Sequence, residues 1–189
     1  MYSQANKPLA TALSLMLVCA MLLGTGGPVS AHPNEQQQNP PLDFVTGGGF
    51  IVRATGAKAN FGVAGGVKNG AYWGHLNYID HGNGLHVNAQ QADITGYLFV
   101  DERTRDICGR AQTNLAGEVA FHVRVTDNGE PGRDDIFIIR LGRNGVVLYT
   151  TEGDPDHTLG GPGPGGGNIQ LHKGNRSNTA PATPPVCEI

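Results

Sequence analysis

The sequence predicts an all-β fold, a single antiparallel β-sandwich or small β-barrel of about ten strands with flexible tails. Three observations predict it. No stretch of ten residues in the body keeps a helical apolar period without a Gly or a β-branched break. Strand-like runs of five to ten residues recur between turn signals. From Glu118 to Asp127 the alternation is clear, with Val119, Phe121, Val123 and Val125 on one face and Glu118, Ala120, His122 and Arg124 on the other.

Taken in order, the predicted strands are Gly49 to Ala54, Ala57 to Ala64, Tyr72 to Asp80, Gly84 to Gln90 and Ala92 to Val100. Ile107 to Leu115, Glu118 to Asp127, Asp135 to Leu141, Val146 to Thr150 and Asn168 to His172 complete the set. Asp135 to Leu141 offers Phe137, Ile139 and Leu141 as an inward set, while Ile136 and Ile138 make its other face apolar as well. That second face calls for a cover, either the loop Glu152 to Gly166 or a partner's surface. Between these two strands Asp127, Asn128, Gly129, Glu130, Pro131 and Gly132 supply what a tight reversal needs, because Asn and Gly tolerate positive φ and Pro fixes it. A hairpin is expected there.

Composition narrows the function classes. The 189 residues include 29 Gly and 12 Pro, only 15% are charged and 6% aromatic, and the formal net charge is −3. An acidic balance carries no basic footprint for nucleic acid, and no apolar run is long enough to span a bilayer once a signal is removed. High Gly without a three-residue period excludes collagen, and a hydrophobic fraction of 39% is enough for a core.

The first thirty-one residues have the parts of a signal peptide. Lys7 precedes an apolar stretch from Leu9 to Leu23, then Gly24, Gly26, Gly27 and Pro28 lead to the small triplet Val29, Ser30, Ala31. Val18 stands before Cys19 where lipoprotein processing wants a small residue, which argues against lipidation. The expected organisation is a signal at 1–31, a polar linker at 32–43, a β domain at 44–173 and a disordered tail at 174–189. Secretion, or exposure on the exterior of the cell envelope, follows.

Removal of Cys19 with the signal leaves Cys108 and Cys187 as one candidate pair in an oxidising compartment. Their bond would tie the tail to the body and contribute on the order of 4 kcal/mol by chain entropy. The alternative is two free thiols, which an extracellular setting disfavours.

Several runs carry a resemblance. GHLNYIDHGNGLHV at Gly74 to Val87, VTDNGEPG at Val125 to Gly132, IFIIRL at Ile136 to Leu141 and GGGNIQLHK at Gly165 to Lys173 stand in order along the chain. With VTGGGFI at Val45 to Ile51 and KANFGV at Lys58 to Val63, the sequence resembles the post-COAP domain family, small exported bacterial domains often found after choice-of-anchor modules. The resemblance covers essentially the whole body and implies an extracellular β domain with no reaction, cofactor or catalytic residue to carry over. DERTRDIC around Asp101 to Cys108 and the loop Glu152 to Gly166 depart from the family pattern.

Several groups of residues carry candidate chemistry. Asp127, Asn128, Glu130, Asp134 and Asp135 gather hard oxygen ligands on one hairpin, the donor type for a weak extracellular calcium site, against the plainer reading of a solvated Asx turn. Their spacing differs from the EF-hand loop, and Arg133 competes as a counter-ion. No cofactor other than calcium is expected. His75, His81, His86, His122 and His172 would need neighbouring strands to converge on a metal, and none shows zinc-motif spacing.

The run Gly160 to Gly167 lacks the Lys-Ser/Thr end of a phosphate loop and precedes a strand. No Ser stands between Phe44 and Lys173, which excludes a serine hydrolase in the body. Asp80, Asp93, Asp101 and Glu102 lie on separate elements, where carboxylate pairs arise by chance.

Trp73 and Tyr72 are the candidate ligand platform, since exposed aromatics with polar handles serve sugars and protein partners alike. The expected function is therefore an exported, non-catalytic β domain, a structural or adhesive interaction module whose partner is an extracellular protein or glycan. A carbohydrate-binding module is the alternative reading, and a small β-barrel enzyme a third.

Overall fold

Alternation and turn residues lay down ten strands in sequence. In the computed structural model, which describes residues 40–163 and 165–189, they are β1 (Phe44–Val52), β2 (Lys58–Lys68), β3 (Ala71–Asp80), β4 (Leu85–Ala89), β5 (Ile94–Phe99), β6 (Thr104–Thr113), β7 (Gly117–Thr126), β8 (Ile136–Arg143), β9 (Val146–Thr150) and β10 (Gly167–His172). A single 3-10 turn, Gln91–Asp93, precedes β5. The expected signal segment 1–31 and residues 32–39 of the expected linker lie outside the described residues. No helix among the described residues is long and apolar enough to cross a membrane.

All pairings are antiparallel, in the order β10-β1-β2-β3-β4-β6-β7-β8-β9, with β5 also paired to β6. The ladder runs from β10 to β9 and does not close into a barrel. The sheet instead folds over on itself. Its corner is the β4–β6 junction, held by only two residue pairs, Val87↔Thr113 and Asn88↔Gln112. Beyond that corner Phe61 of β2 stacks on Phe137 of β8 with ring centroids 4.0 Å apart, although four strands separate them in the ladder. Tyr78 of β3 also meets Phe137, at 5.9 Å.

The predicted inward faces hold. Val119, Phe121, Val123 and Val125 are at most 2% exposed, as are Phe137, Ile139 and Leu141. They fill the space between the layers with Val45, Ile51, Val63, Leu76, Tyr78, Val87, Ile107 and Ile169. On the opposite face of β8, Ile136 and Ile138 are half-buried. The predicted covering loop lies beside the start of that strand, where Ile136 bridges Thr158 and the Phe137 N–H donates to the His157 carbonyl at 3.1 Å.

Three strands extend three or more residues beyond the predicted bounds. β1 starts five residues early because its run of glycines is paired on both sides, and a Cβ at Gly47 would stand 2.7 Å from Ile169. β2 continues through Gly65 and Gly66, where a Cβ would press on Ile107 and Phe44 respectively. β6 begins at Thr104, and its polar start is buried because Arg105 pairs with Asp43 at 2.5 Å and Asp106 pairs with Arg124 at 2.8 Å.

The C-terminal segment differs from the free tail expected at 174–189. Cys108 and Cys187 form a disulfide, their Cα atoms 5.1 Å apart. Val186 exchanges bonds with Thr95, its N–H donating to the Thr95 carbonyl at 3.0 Å and its carbonyl accepting from Thr95 Oγ1 at 2.8 Å. Asn178 Nδ2 donates to the Val67 carbonyl at 2.7 Å, and the Gly145 N–H donates to Ile189 at 2.8 Å. Individual polar contacts, which composition does not encode, lay the segment along the sheet.

Candidate functional site

The acidic hairpin comes first, because its carboxylates meet a strand edge. β10 has β1 on one side and no strand on the other. On that open side the Ile169 N–H donates to Asp135 Oδ2 at 2.7 Å and the Leu171 N–H to Asp127 Oδ2 at 2.8 Å. The remaining oxygens accept from the hairpin itself, Asp135 Oδ1 from the Asn128 N–H at 2.8 Å and Asp127 Oδ1 from the Gly129 N–H at 2.9 Å. Glu130 accepts from Asn168 Nδ2 at 3.1 Å. Two carboxylates thus take the place of a missing neighbour strand, satisfying donors that an open edge would leave bare.

Of the five predicted calcium ligands, Asp127 and Asp135 converge on β10. Asn128 Nδ2 turns to the Asp134 carbonyl at 2.7 Å, and the Asp134 side chain is 77% exposed beside Arg133. Among the described residues no group of three or more His, Cys, Asp or Glu is placed to hold a metal ion. Burial pushes the Asp135 carboxyl above its usual value, against the opposing pull of the two backbone N–H bonds.

Tyr72 and Trp73 are consecutive on β3 and therefore point to opposite faces. The Tyr72 hydroxyl donates to the Thr183 carbonyl at 3.1 Å under the C-terminal segment, and burial pushes its phenol upward. Trp73 lies on the outer face, 5.8 Å from Phe44, which in turn stacks on His172 at 4.5 Å. The structure does not bring them together as one platform. The histidines do not converge either: His75, His86 and His172 face outward from the first layer, His81 bonds Asn60 Oδ1 at 2.8 Å, and His122 lies 2.9 Å from Asp106 on the second layer.

Three polar clusters were invisible in the sequence because their members are far apart along the chain. Arg53 pairs with Asp80 at 2.6 Å, with Asp154 and with Tyr149. Tyr149 also donates to Asp80 at 2.8 Å and lies 2.5 Å from the Tyr78 hydroxyl. Burial pushes the Tyr78 phenol up to about 12 and the Tyr149 phenol further. Asp43 gathers Arg105 and the Tyr97 hydroxyl, the latter at 2.7 Å. Asp106 takes a two-pronged bond from Arg124, both contacts at 2.8 Å. Burial raises its carboxyl, but Arg124 and His122 outweigh that and hold it below the ordinary range. These ionic groups are committed to joining strands of the fold.

What remains facing solvent on the first layer is different in kind. Along β10-β1-β2-β3-β4 the outward positions form transverse rows set by register. One row reads Asn168, Gly48, Gly62, Asn77, Asn88 and continues to Gln112 of β6. The next rows read Gln170, Thr46, Ala64, His75 and Phe50, Asn60, Ile79, His86. Asn60, His75, Asn77, His86, Asn88 and Gln170 are exposed. Across these strands the outward charges are Lys58 and Lys68, at the two ends of β2. At about 4.8 Å per strand, Asn168 and Asn77 stand roughly 14 Å apart with the two glycines between them.

Those glycines are unusual among the strand glycines. A Cβ at Gly65 would approach Ile107 to 2.7 Å and one at Gly109 would meet Phe121 at 2.8 Å, while Gly117, Gly74 and Gly167 have φ of +67°, +155° and +142°. Gly49 is blocked by backbone, Gly142 by the Ile189 side chain and the Val146 carbonyl, and Gly96 lies against Val186. At Gly62 nothing lies within 4 Å of a Cβ, and at Gly48 the nearest atom is the Phe61 carbonyl oxygen at an ordinary 3.5 Å. The fold does not require either. Glycine in a strand interior costs about 0.5–1 kcal/mol relative to Ala, and such positions often mark a bulge, a tight bend, or a close approach of a ligand or another backbone.

No family model, curated protein or solved structure matches the chain. The arrangement therefore speaks through its own chemistry. Carboxamides donate and accept in the same group, and neutral imidazole does likewise. A face of such groups around a glycine-floored hollow forms hydrogen bonds without favouring either sign of charge.

Proposed function

We propose that the chain is an exported, non-catalytic β domain that serves as a structural or adhesive interaction module at or beyond the cell surface. The observation that carries this reading is the allocation of polar groups. The ionic side chains of Arg53, Asp80, Arg105, Asp106 and Asp135 bind strand to strand, while the exposed face of the first layer presents uncharged donors and acceptors. The signal-like segment ending at Ala31 and the Cys108–Cys187 disulfide support an oxidising destination. The resemblance of Gly74 to Val87 and Gly165 to Lys173 to post-COAP domains agrees with it, and membership of that family is part of the proposal.

Expression of the full chain in a secreting bacterial host tests the reading. The recovered protein is expected outside the cytoplasm with His32 at its N-terminus. A chain that stays in the cytoplasm with Met1 intact would overturn it.

A further inference from the structure

We infer that the outer face of β10-β1-β2-β3-β4 binds a neutral polysaccharide chain, laid across the hollow floored by Gly48 and Gly62. This rests on the reading of the chain as an exported interaction module and names the ligand class of that module.

Three features of the face point to this occupant. Gly48 and Gly62 are register partners, both face outward, and the fold leaves room at each for a Cβ that the sequence withholds. Exposed side chains that both donate and accept stand beside them, Asn77 and Asn88 in the same row and Gln170, His75 and Asn60 in the adjoining rows, while Asn168 on the far side is tied to Glu130. Sugar hydroxyls likewise donate and accept. Finally, the outward positions between Lys58 and Lys68 carry no charge, which matches an uncharged polymer and gives an anionic one no counter-ions in the hollow. The core of a protein interface is instead enriched in aromatic, Met and Arg side chains. Here the glycine row itself carries no aromatic side chain; Phe50 stands in one adjoining row, and Trp73 with Phe44 lies two rows away on the other side.

The test uses the full chain, exported by its host and recovered from the medium, in affinity electrophoresis through gels containing a neutral β-glucan, mannan or α-glucan. Carboxymethyl-cellulose serves as the anionic comparison. At least one neutral polymer is expected to retard the protein more than the anionic one does. Gly62→Val and Asn88→Ala should each weaken that retardation at least tenfold, and Gly62→Val should melt no lower than wild type because its side chain enters open space.

A correctly processed protein that none of the neutral polymers retards overturns the inference while leaving the export reading standing. So does stronger retardation by carboxymethyl-cellulose, unchanged retardation of both variants, or a Gly62→Val protein that melts well below wild type. Dimers in sedimentation that Gly62→Val abolishes would assign the face to a second copy and overturn it as well. Retention in the cytoplasm with Met1 intact would instead remove the underlying reading.

Discussion

Asp135 holds the open edge of β10 by accepting the Ile169 backbone N–H at 2.7 Å, from a side chain that is itself 0% exposed. The same carboxylate accepts from Asn128, so one residue joins the β7–β8 hairpin to the far end of the ladder. Asp135→Ala leaves the buried Ile169 N–H and the more exposed Asn128 N–H without partners, and the expected loss is about 2–3 kcal/mol. Urea denaturation checks it. An unchanged midpoint would show that the seam is not held there.

The same geometry predicts calcium behaviour. The Asp127 and Asp135 oxygens already accept backbone N–H groups, so excess calcium or EDTA should shift the melting temperature by less than a degree. Asp134→Ala, at an exposed position, should change stability by less than about 0.5 kcal/mol. A calcium-dependent rise in melting temperature that Asp127→Ala removes would contradict this.

Much of this was legible in the sequence. The inward faces of β7 and β8 stand out because Val119, Phe121, Val123 and Val125 alternate with polar residues, and the hairpin between them follows from its Asn, Gly and Pro. The length of β1 was not legible, since the strand reads as starting at Gly49 until the neighbours that pair with Gly47 and Gly48 on both sides are known. Thr104, Arg105 and Asp106 failed as a strand signal for a related reason. Their burial depends on Asp43 and Arg124, partners that no local pattern announces. Tyr72 and Trp73 read as one platform only when strand alternation is ignored. The outer face is a product of register, which places Gly48 beside Gly62 and Gly62 beside Asn77 from three separate stretches of chain.

Reduction tests the strap. Breaking Cys108–Cys187 opens a span of 79 residues and should lower stability by up to about 4 kcal/mol on the chain-entropy model. Limited proteolysis of the reduced protein should then cut first within 174–189, and the oxidised protein should resist at the same protease concentration. Equal cleavage of both forms would contradict the contacts at Val186 and Asn178.

Arg53 is the hub of the cluster it forms with Asp80, Asp154 and Tyr149. Its side chain is 14% exposed and its partner Asp80 5%, so Arg53→Met strands two carboxylates in a poorly solvated place. A loss of about 3–5 kcal/mol is expected by chemical denaturation. Tyr149→Phe, which removes one hydroxyl and keeps the ring, should cost about 1–2 kcal/mol.

Asp106 sets part of the acid limb. Burial pushes its carboxyl up, Arg124 and His122 pull it further down, and the net folded value lies below the ordinary 3.8. A depressed folded value means that the contribution is complete above the unfolded value near 3.8 and is lost as pH falls through the folded one. Stability measured between pH 5 and 2 should therefore fall less steeply in Asp106→Asn than in wild type. An identical slope would contradict the pairing.

The most direct measurement is an NMR titration of the protein with a neutral oligosaccharide cut from whichever polymer retards it. Shifts are expected in the side-chain amides of Asn60, Asn77, Asn88 and Gln170 and in the backbone amides of Gly48 and Gly62, with Arg53, Asp106 and β9 unmoved. Shifts centred on the exposed β9 residues Val146, Val147 and Leu148, with the glycine row silent, would contradict the assignment of the uncharged face as the working surface.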